Sequence, residues 1–234
     1  MQLFYFNTIR DNTIVFDATE SRHIVRVLRY KKDDLIYATD GLGFIYQARI
    51  KDTDPGECTA IINEKKEGQD KRNYSIHIAI APTKNQDRLE WFVEKSVELG
   101  IDSITPVVCE HSERRKIRSD RLNKIMLSAM KQSHKTKMTN IYELMSFNDF
   151  VQAGYNSGKY IAHLSESFRS VNLKSTCKAG EDTIIIIGPE GDFSEEEINT
   201  ALKNNFTPVT LGQSRLRTET AGVIACCLVH FINM

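Results

Sequence analysis

Residues 183–187 read Thr-Ile-Ile-Ile-Ile, closed by Gly188-Pro189. Four β-branched isoleucines in a row make both alternating faces of a strand apolar. Such a run fits a strand covered on both sides, the central position of a parallel sheet. The flanking sequence agrees. Ile76–Ala81, Ile104–Val108, Tyr160–Leu164 and Pro208–Leu211 are further short strand-like runs. Between them lie helical patterns. Asn85–Leu99 turns Leu89, Phe92, Val93 and Val97 to one face and meets Gly100 at its C-terminal end. Ser119 can cap a helix with the stripe Leu122, Ile125, Met126, Ala129 and Met130. Ser194-Glu195-Glu196-Glu197 is a capping box, and Thr218–Phe231 is a closing helix, apolar almost all round. Strands alternating with helices predict an α/β domain, a parallel sheet with helices on both faces.

The first seventy or so residues read differently. Leu3–Phe6, Ile14–Phe16, Leu35–Thr39, Phe44–Ile50 and Cys58–Ile62 are short strands broken by the turn signals Asp40-Gly41-Leu42-Gly43 and Asp54-Pro55-Gly56. They suggest a small barrel. One helix, Glu20–Leu28, interrupts them with Ile24, Val27 and Leu28 on its inner face and Arg22, Arg26 and Arg29 elsewhere. Glu64–Asn73 contains no apolar residue, so it reads as a linker between residues 1–70 and residues 74–234.

Composition excludes several classes. No apolar run approaches the ~18 residues of a membrane span, and Met1–Tyr30 has no signal-peptide core. The five cysteines form no CxxC pair, which argues against a zinc or disulfide framework and for reduced thiols of a cytoplasmic protein. The net charge of +0 hides an uneven distribution. From His111 to Lys137 nine Lys/Arg face two acids, a local +7, and from Glu181 to Glu197 seven acids face no base. A basic segment of that size suits nucleic acid, and equally a solvated helix face.

Ligands on open α/β sheets bind beyond the carboxyl ends of strands. Two such ends stand out. Gly188-Pro189-Glu190-Gly191-Asp192-Phe193-Ser194 follows the isoleucine strand, and its glycines allow close approach to a ligand, although a strand-to-helix turn uses glycine in any case. It is neither a Walker loop nor a dinucleotide-binding fingerprint. Leu211-Gly212-Gln213-Ser214-Arg215-Leu216-Arg217-Thr218-Glu219-Thr220-Ala221 runs into the last helix. Its arginines and threonines at a helix N-terminus can bind a carboxylate, a phosphate or a developing anion, or can serve as a plain cap with local ion pairs.

GPEGDFSEEE followed by LGQSRLRTETA resembles the paired signature of the SPOUT (α/β-knot) methyltransferases, and within them the ribosomal RNA small-subunit methyltransferase E family. Lys84, Asp87, Glu94-Lys95, Glu98-Leu99-Gly100, Glu113-Arg114 and Ala129-Met130-Lys131-Gln132-Ser133 extend the resemblance upstream. His23 with Val27-Leu28-Arg29 and then Gly41-Leu42-Gly43 carries it into the N-terminal part, so it spans essentially the whole chain. Three departures are visible. Lys131-Gln132-Ser133-His134-Lys135 stands where the family often has Glu-Gln-Ser-x-Arg. Asp192 stands where the family commonly has glycine, and Ser214 stands where it commonly has its first arginine, with Arg217 at the second.

The resemblance implies a SPOUT-type trefoil-knotted parallel sheet over residues 74–234, preceded by an RNA-binding PUA-like β-barrel over residues 1–70. It implies a homodimer and S-adenosylmethionine bound by His163, Leu164, Gly188, Pro189, Glu190, Gly191, Leu211, Gly212, Leu216, Arg217 and Thr218. No metal is expected. The implied reaction is methylation of N3 of a uridine in 16S rRNA of the small ribosomal subunit, the alternative being another RNA such as tRNA. Uridine N3 must lose a proton, and Arg217 is the candidate to stabilise the charge left on O2 and O4. Glu219 and His163 are possible bases. Arg114, Arg115, Lys116 and Arg118 form one candidate RNA patch, and Arg22, Arg26 and Arg29 another.

Overall fold

The isoleucine run is a strand in which every residue from Thr183 to Ile187 is buried. In the computed structural model the chain divides into two units, Met1–Lys71 with Leu127–Met138, and Arg72–Met126 with Thr139–Met234. The structure describes residues 2–69 and 71–234; Met1 and Asp70, which bound the predicted segment 1–70, lie outside them.

The first unit carries β1 (Leu3–Tyr5), β2 (Thr8–Arg10), β3 (Thr13–Val15), α1 (Ala18–Arg22), β4 (Leu35–Thr39), β5 (Phe44–Asp52) and β6 (Thr59–Glu67). They form one sheet in the order β1-β4-β5-β6-β3-β2, antiparallel except for the β1–β4 pair. Register shifts in the β5–β6 ladder bend the sheet around a core of Phe4, Phe6, Ile14, Phe16, Ile36 and Tyr46. The segment after α3 completes this unit. Thr136 offers its carbonyl to Gly43 N–H at 2.9 Å and to Thr39 Oγ1 at 3.1 Å, and Met138 N–H donates to the Gly41 carbonyl at 2.8 Å.

Two expectations change here. Glu64–Glu67 is strand, not linker, paired with Phe44–Gln47. A strand needs its backbone ladder more than apolar side chains, and Lys65 lays its ammonium 3.8 Å from the Phe44 ring. The predicted helix Glu20–Leu28 ends as α-helix at Arg22 and continues as a π-helical turn, His23–Val27, closed by Leu28 N–H to the His23 carbonyl at 3.0 Å. The wider turn breaks the 3.6-residue phase. Ile24 stays buried, whereas Val27 and Leu28 are 65% and 39% exposed.

The second unit is built on β7 (Ile76–Ile80), α2 (Gln86–Leu99), β8 (Ser103–Val108) and α3 (Ser119–Gln132), whose second half belongs to the first unit. It continues with β9 (Asn140–Ile141), β10 (Met145–Ser146), α4 (Phe147–Gln152), β11 (Gly158–Ala162), β12 (Val171–Asn172), α5 (Leu173–Thr176) and β13 (Thr183–Ile187). The last elements are α6 (Glu195–Lys203), β14 (Thr207–Thr210) and α7 (Thr218–Ile232). The sheet runs β10-β8-β7-β13-β11-β14-β12, with β9 beside β8, and every pair is parallel.

Alternation on β13 sorts the helices. Ile184 and Ile186 join Phe147 and Phe150 of α4 and Ile198 and Ala201 of α6 in one core. On the other face α7 closes onto β7 and α2 at Gly222. A Cβ there would stand 2.5 Å from Phe92 Cε2 and 3.2 Å from Ile80 Cδ1, so only glycine permits this approach. Gly100 ends α2 in the left-handed conformation and the Ser194–Glu197 capping box opens α6, both as the sequence predicts, while Asn85, predicted as the first helical residue, instead caps α2. Among the described residues no helix is long and apolar enough to cross a membrane.

Candidate active site

The register of the three central strands sets the site. Ala162 of β11 pairs with Ile187 of β13 on one side and Val209 of β14 on the other. His163 and Gly188 therefore leave the sheet side by side at its carboxyl edge, level in register with Thr210, the last residue of β14, which pairs with Asn172 of β12. Hydrogen bonds outside the ladder then join the loops. Thr218 Oγ1, at the start of α7, donates to the Gly188 carbonyl at 3.0 Å. Leu164 N–H donates to Asp192 Oδ2 at 2.8 Å. Glu190 Oε1 accepts from Lys84 N–H beyond β7 at 3.1 Å. His111, beyond β8, turns Nδ1 to the carbonyls of Gly191 and Asp192 at 3.2 and 3.1 Å.

These bonds collect His163, Leu164, Gly188 to Gly191 and Thr218 at one edge, with Leu211, Gly212, Leu216 and Arg217 on the loop that leads into α7. The surface they present is mixed. Leu164 is 55% exposed, Leu211 and Leu216 are half-buried, and Gly212 takes φ +147° with open space where a side chain would be. His163 is 5% exposed. Its Nε2 meets Ser170 Oγ at 3.1 Å, and its Nδ1 has no partner among the described residues. Burial holds His163 below the usual histidine range, partly countered by the Asp192 charge. Glu219 is buried on the first turn of α7, with Oε1 3.7 Å from Arg88 Nε and Oε2 unpartnered among the described residues.

Arg217 occupies the residue before α7. Its carbonyl accepts the Ala221 N–H at 2.8 Å, and its exposed guanidinium makes no ion pair or hydrogen bond among the described residues. A cation free at a helix N-terminus opposes the helix dipole, so the fold gains nothing from it there. Of the two basic groups, Arg22, Arg26 and Arg29 are exposed on the π-helical turn and around it, while Tyr30 packs edge-on against Phe4 in the core of its unit. Lys116 and Arg118 are also exposed and unpaired among the described residues. Arg114 is committed elsewhere, half-buried with Nε on the Thr83 carbonyl at 3.1 Å and Nη2 on the Lys84 carbonyl at 2.9 Å. Arg115 Nη2 donates to the Glu110 carbonyl at 3.1 Å. Sequence reasoning passed over His111 and the Asp192 carboxylate, whose partners lie about eighty and twenty-eight residues away and leave no local pattern.

A parallel sheet with glycine-bearing loops gathered at its carboxyl edge is the α/β arrangement in which ligands bind beyond the strand ends. Residues 70–230 match the family model described as an RNA methyltransferase domain, and residues 16–63 match that of the RNA methyltransferase PUA domain. The chain belongs to the RNA methyltransferase family, and its curled sheet is PUA-like. It is 25% identical to the ribosomal RNA small subunit methyltransferase E of Bacillus subtilis over 94% of this chain and 90% of that one. A solved structure described as a "probable rRNA-methyltransferase" from Porphyromonas gingivalis is 38% identical, with a TM-score of 0.92 over 100% of this chain and 98% of that one. Ribosomal RNA small subunit methyltransferase E from Neisseria gonorrhoeae, solved bound to S-adenosyl methionine, is 26% identical with a TM-score of 0.85 over 100% and 98% of the two chains.

Proposed function

We propose that this chain methylates N3 of a uridine in 16S rRNA of the small ribosomal subunit, using S-adenosylmethionine held by the loops beyond β11, β13 and β14. The observation that carries this reading is the register that aligns His163, Gly188 and Thr210, with Thr218 tied to Gly188, in a chain whose relatives are rRNA methyltransferases. The loops fit the cofactor. The open space at Gly212 leaves backbone accessible for close approach, Leu164, Leu211 and Leu216 offer apolar surface to an adenine, and His163 Nδ1 is an unspent polar atom. The reading also gives Pro189, Glu190 and Gly191, on the loop after β13, to the cofactor. We include in the reading a trefoil-knotted crossing of these loops, domains at residues 1–70 and 74–234, and work in the cytoplasm.

Bound there, S-adenosylmethionine supplies an electrophilic sulfonium methyl. The chain supplies the rest. Arg217 places a free cation where charge develops on uracil O2 and O4 once N3 gives up its proton. His163, whose burial favours the neutral ring, and Glu219, on the first turn of α7, are the two candidate bases. In a duplex N3 is engaged in pairing, so the acceptor is single-stranded or flipped out. Phosphate contacts come from Arg22, Arg26, Arg29, Lys116 and Arg118, with smaller parts for Arg114 and Arg115, which are already hydrogen-bonded.

Calorimetry with S-adenosylhomocysteine, followed by methyl incorporation into 30S subunits, 16S rRNA and tRNA, tests the proposal. We expect saturable binding, methyl on 16S rRNA located at uridine N3, and activity unchanged by a chelator. Preferential labelling of tRNA would move the substrate to another RNA, and no heat of binding would overturn the reading.

A homodimer through α7 belongs to the same reading. One side of that helix is buried against its own unit, while Val223, Ile224, Cys227 and Leu228 remain half-buried and Phe231 is 67% exposed. Sedimentation at micromolar concentration should give twice the chain mass. A monomer there would refute the dimer.

A further inference from the structure

Asp192 is a side-chain-bearing residue at φ +61°, in the left-handed region that favours glycine. Its backbone is used like that of any tight turn, with N–H on the Pro189 carbonyl at 3.0 Å. Its carboxylate does something a glycine could not. The β11–β13 ladder stops at Ala162 and Ile187, and two residues later the Leu164 N–H points at no strand. Asp192 Oδ2 accepts that N–H at 2.8 Å, while Oδ1 accepts its own neighbour, Phe193 N–H, at 2.9 Å. From the other side His111 Nδ1 fastens the carbonyls of Gly191 and Asp192. The carboxylate thus spans the gap where the ladder ends and carries the fixed position of one loop across to the next.

We propose that Asp192 is a positioning residue for the methyl donor, a clasp that holds the backbone leaving β11 against the β13–α6 loop so that both walls of the pocket are formed before the ligand arrives. This rests on the reading of these loops as the cofactor pocket. A pocket ordered in advance spares the ligand the cost of ordering it, so the clasp acts on affinity and not on the methyl-transfer step. Asparagine tolerates the left-handed region and keeps one acceptor oxygen, which can serve the Leu164 N–H across the gap while the adjacent Phe193 N–H loses its partner, whereas glycine tolerates the region and lacks any acceptor.

The test compares full-length wild type, D192N and D192G by calorimetry with S-adenosylhomocysteine and by steady-state methyl transfer. Losing a charge-assisted hydrogen bond at the pocket wall should raise Kd and the KM for S-adenosylmethionine about tenfold in D192G, with kcat within about twofold. D192N should return both to within about threefold of wild type. Thermal unfolding of D192G should match or exceed wild type, because glycine relieves the backbone. Unchanged affinity in D192G, an equal loss in D192N, or a fall in kcat at constant KM would each overturn the clasp. Wild-type protein that gives no heat with S-adenosylhomocysteine would overturn the pocket reading and the clasp together, which separates the two failures.

Discussion

Replacing Arg217 by alanine is expected to lower kcat about a hundredfold or more, with the affinity for S-adenosylhomocysteine within a few-fold of wild type. The magnitude is that of removing one preorganised donor from a site of developing negative charge. The split between rate and binding follows from the structure. Arg217 is exposed, has no partner among the described residues, and precedes a helix whose first turn is held by the Thr218 bond to Gly188 and not by the guanidinium. Truncating it therefore leaves the loop in place. Lysine should recover only part of the rate, since a flexible ammonium does not reproduce the fixed, planar N–H donors of the guanidinium. Equal losses in cofactor affinity and in kcat would reassign Arg217 to the cofactor.

The combined variant R22A/R26A/R29A should make RNA binding less sensitive to salt. Each phosphate neutralised on a single strand contributes a slope of about −0.7 to log K against log salt, so losing three contacts should flatten the plot by about 2. Cofactor affinity should not move. Filter binding of 16S rRNA across a salt series reads the slope directly, and an unchanged slope removes these arginines from the RNA surface. Deleting residues 1–70 would be a poorer experiment. Thr136 and Met138 hydrogen-bond to Thr39, Gly41 and Gly43, so the deletion strips partners from a segment that remains. The three arginines are exposed, and their loss disturbs little beyond the bond from Arg22 Nε to the Ala18 carbonyl.

What the sequence discloses about this protein is what local physics decides. The isoleucine strand, the Gly100 stop of α2 and the Ser194 capping box each depend on neighbours within a few residues, and each is found where it is predicted. The two-residue strands β9, β10 and β12 are invisible because they exist only as pairings with β8 and β14. Glu64–Glu67 misled for a related reason, since its strand is specified by Phe44–Gln47 opposite it. At the site, the loops were legible from glycine and arginine spacing. Their stitching was not. That Arg114 is spent on backbone carbonyls, and that Asp192 reaches Leu164, are facts about places where distant segments meet.

Assigning Leu127–Met138 to the same unit as the first seventy-one residues has a consequence for biosynthesis. A nascent chain leaves the ribosome from its N-terminus at about 5–20 residues per second. The curled sheet can begin to pair as soon as β6 emerges, but Gly43 N–H and the Gly41 carbonyl wait several seconds more for Thr136 and Met138 to be translated. During that interval β7, α2 and β8 are already outside, so the second unit begins to emerge before the first is complete. A gene fragment ending at the apparent boundary near residue 70 would encode a sheet permanently held at that waiting stage.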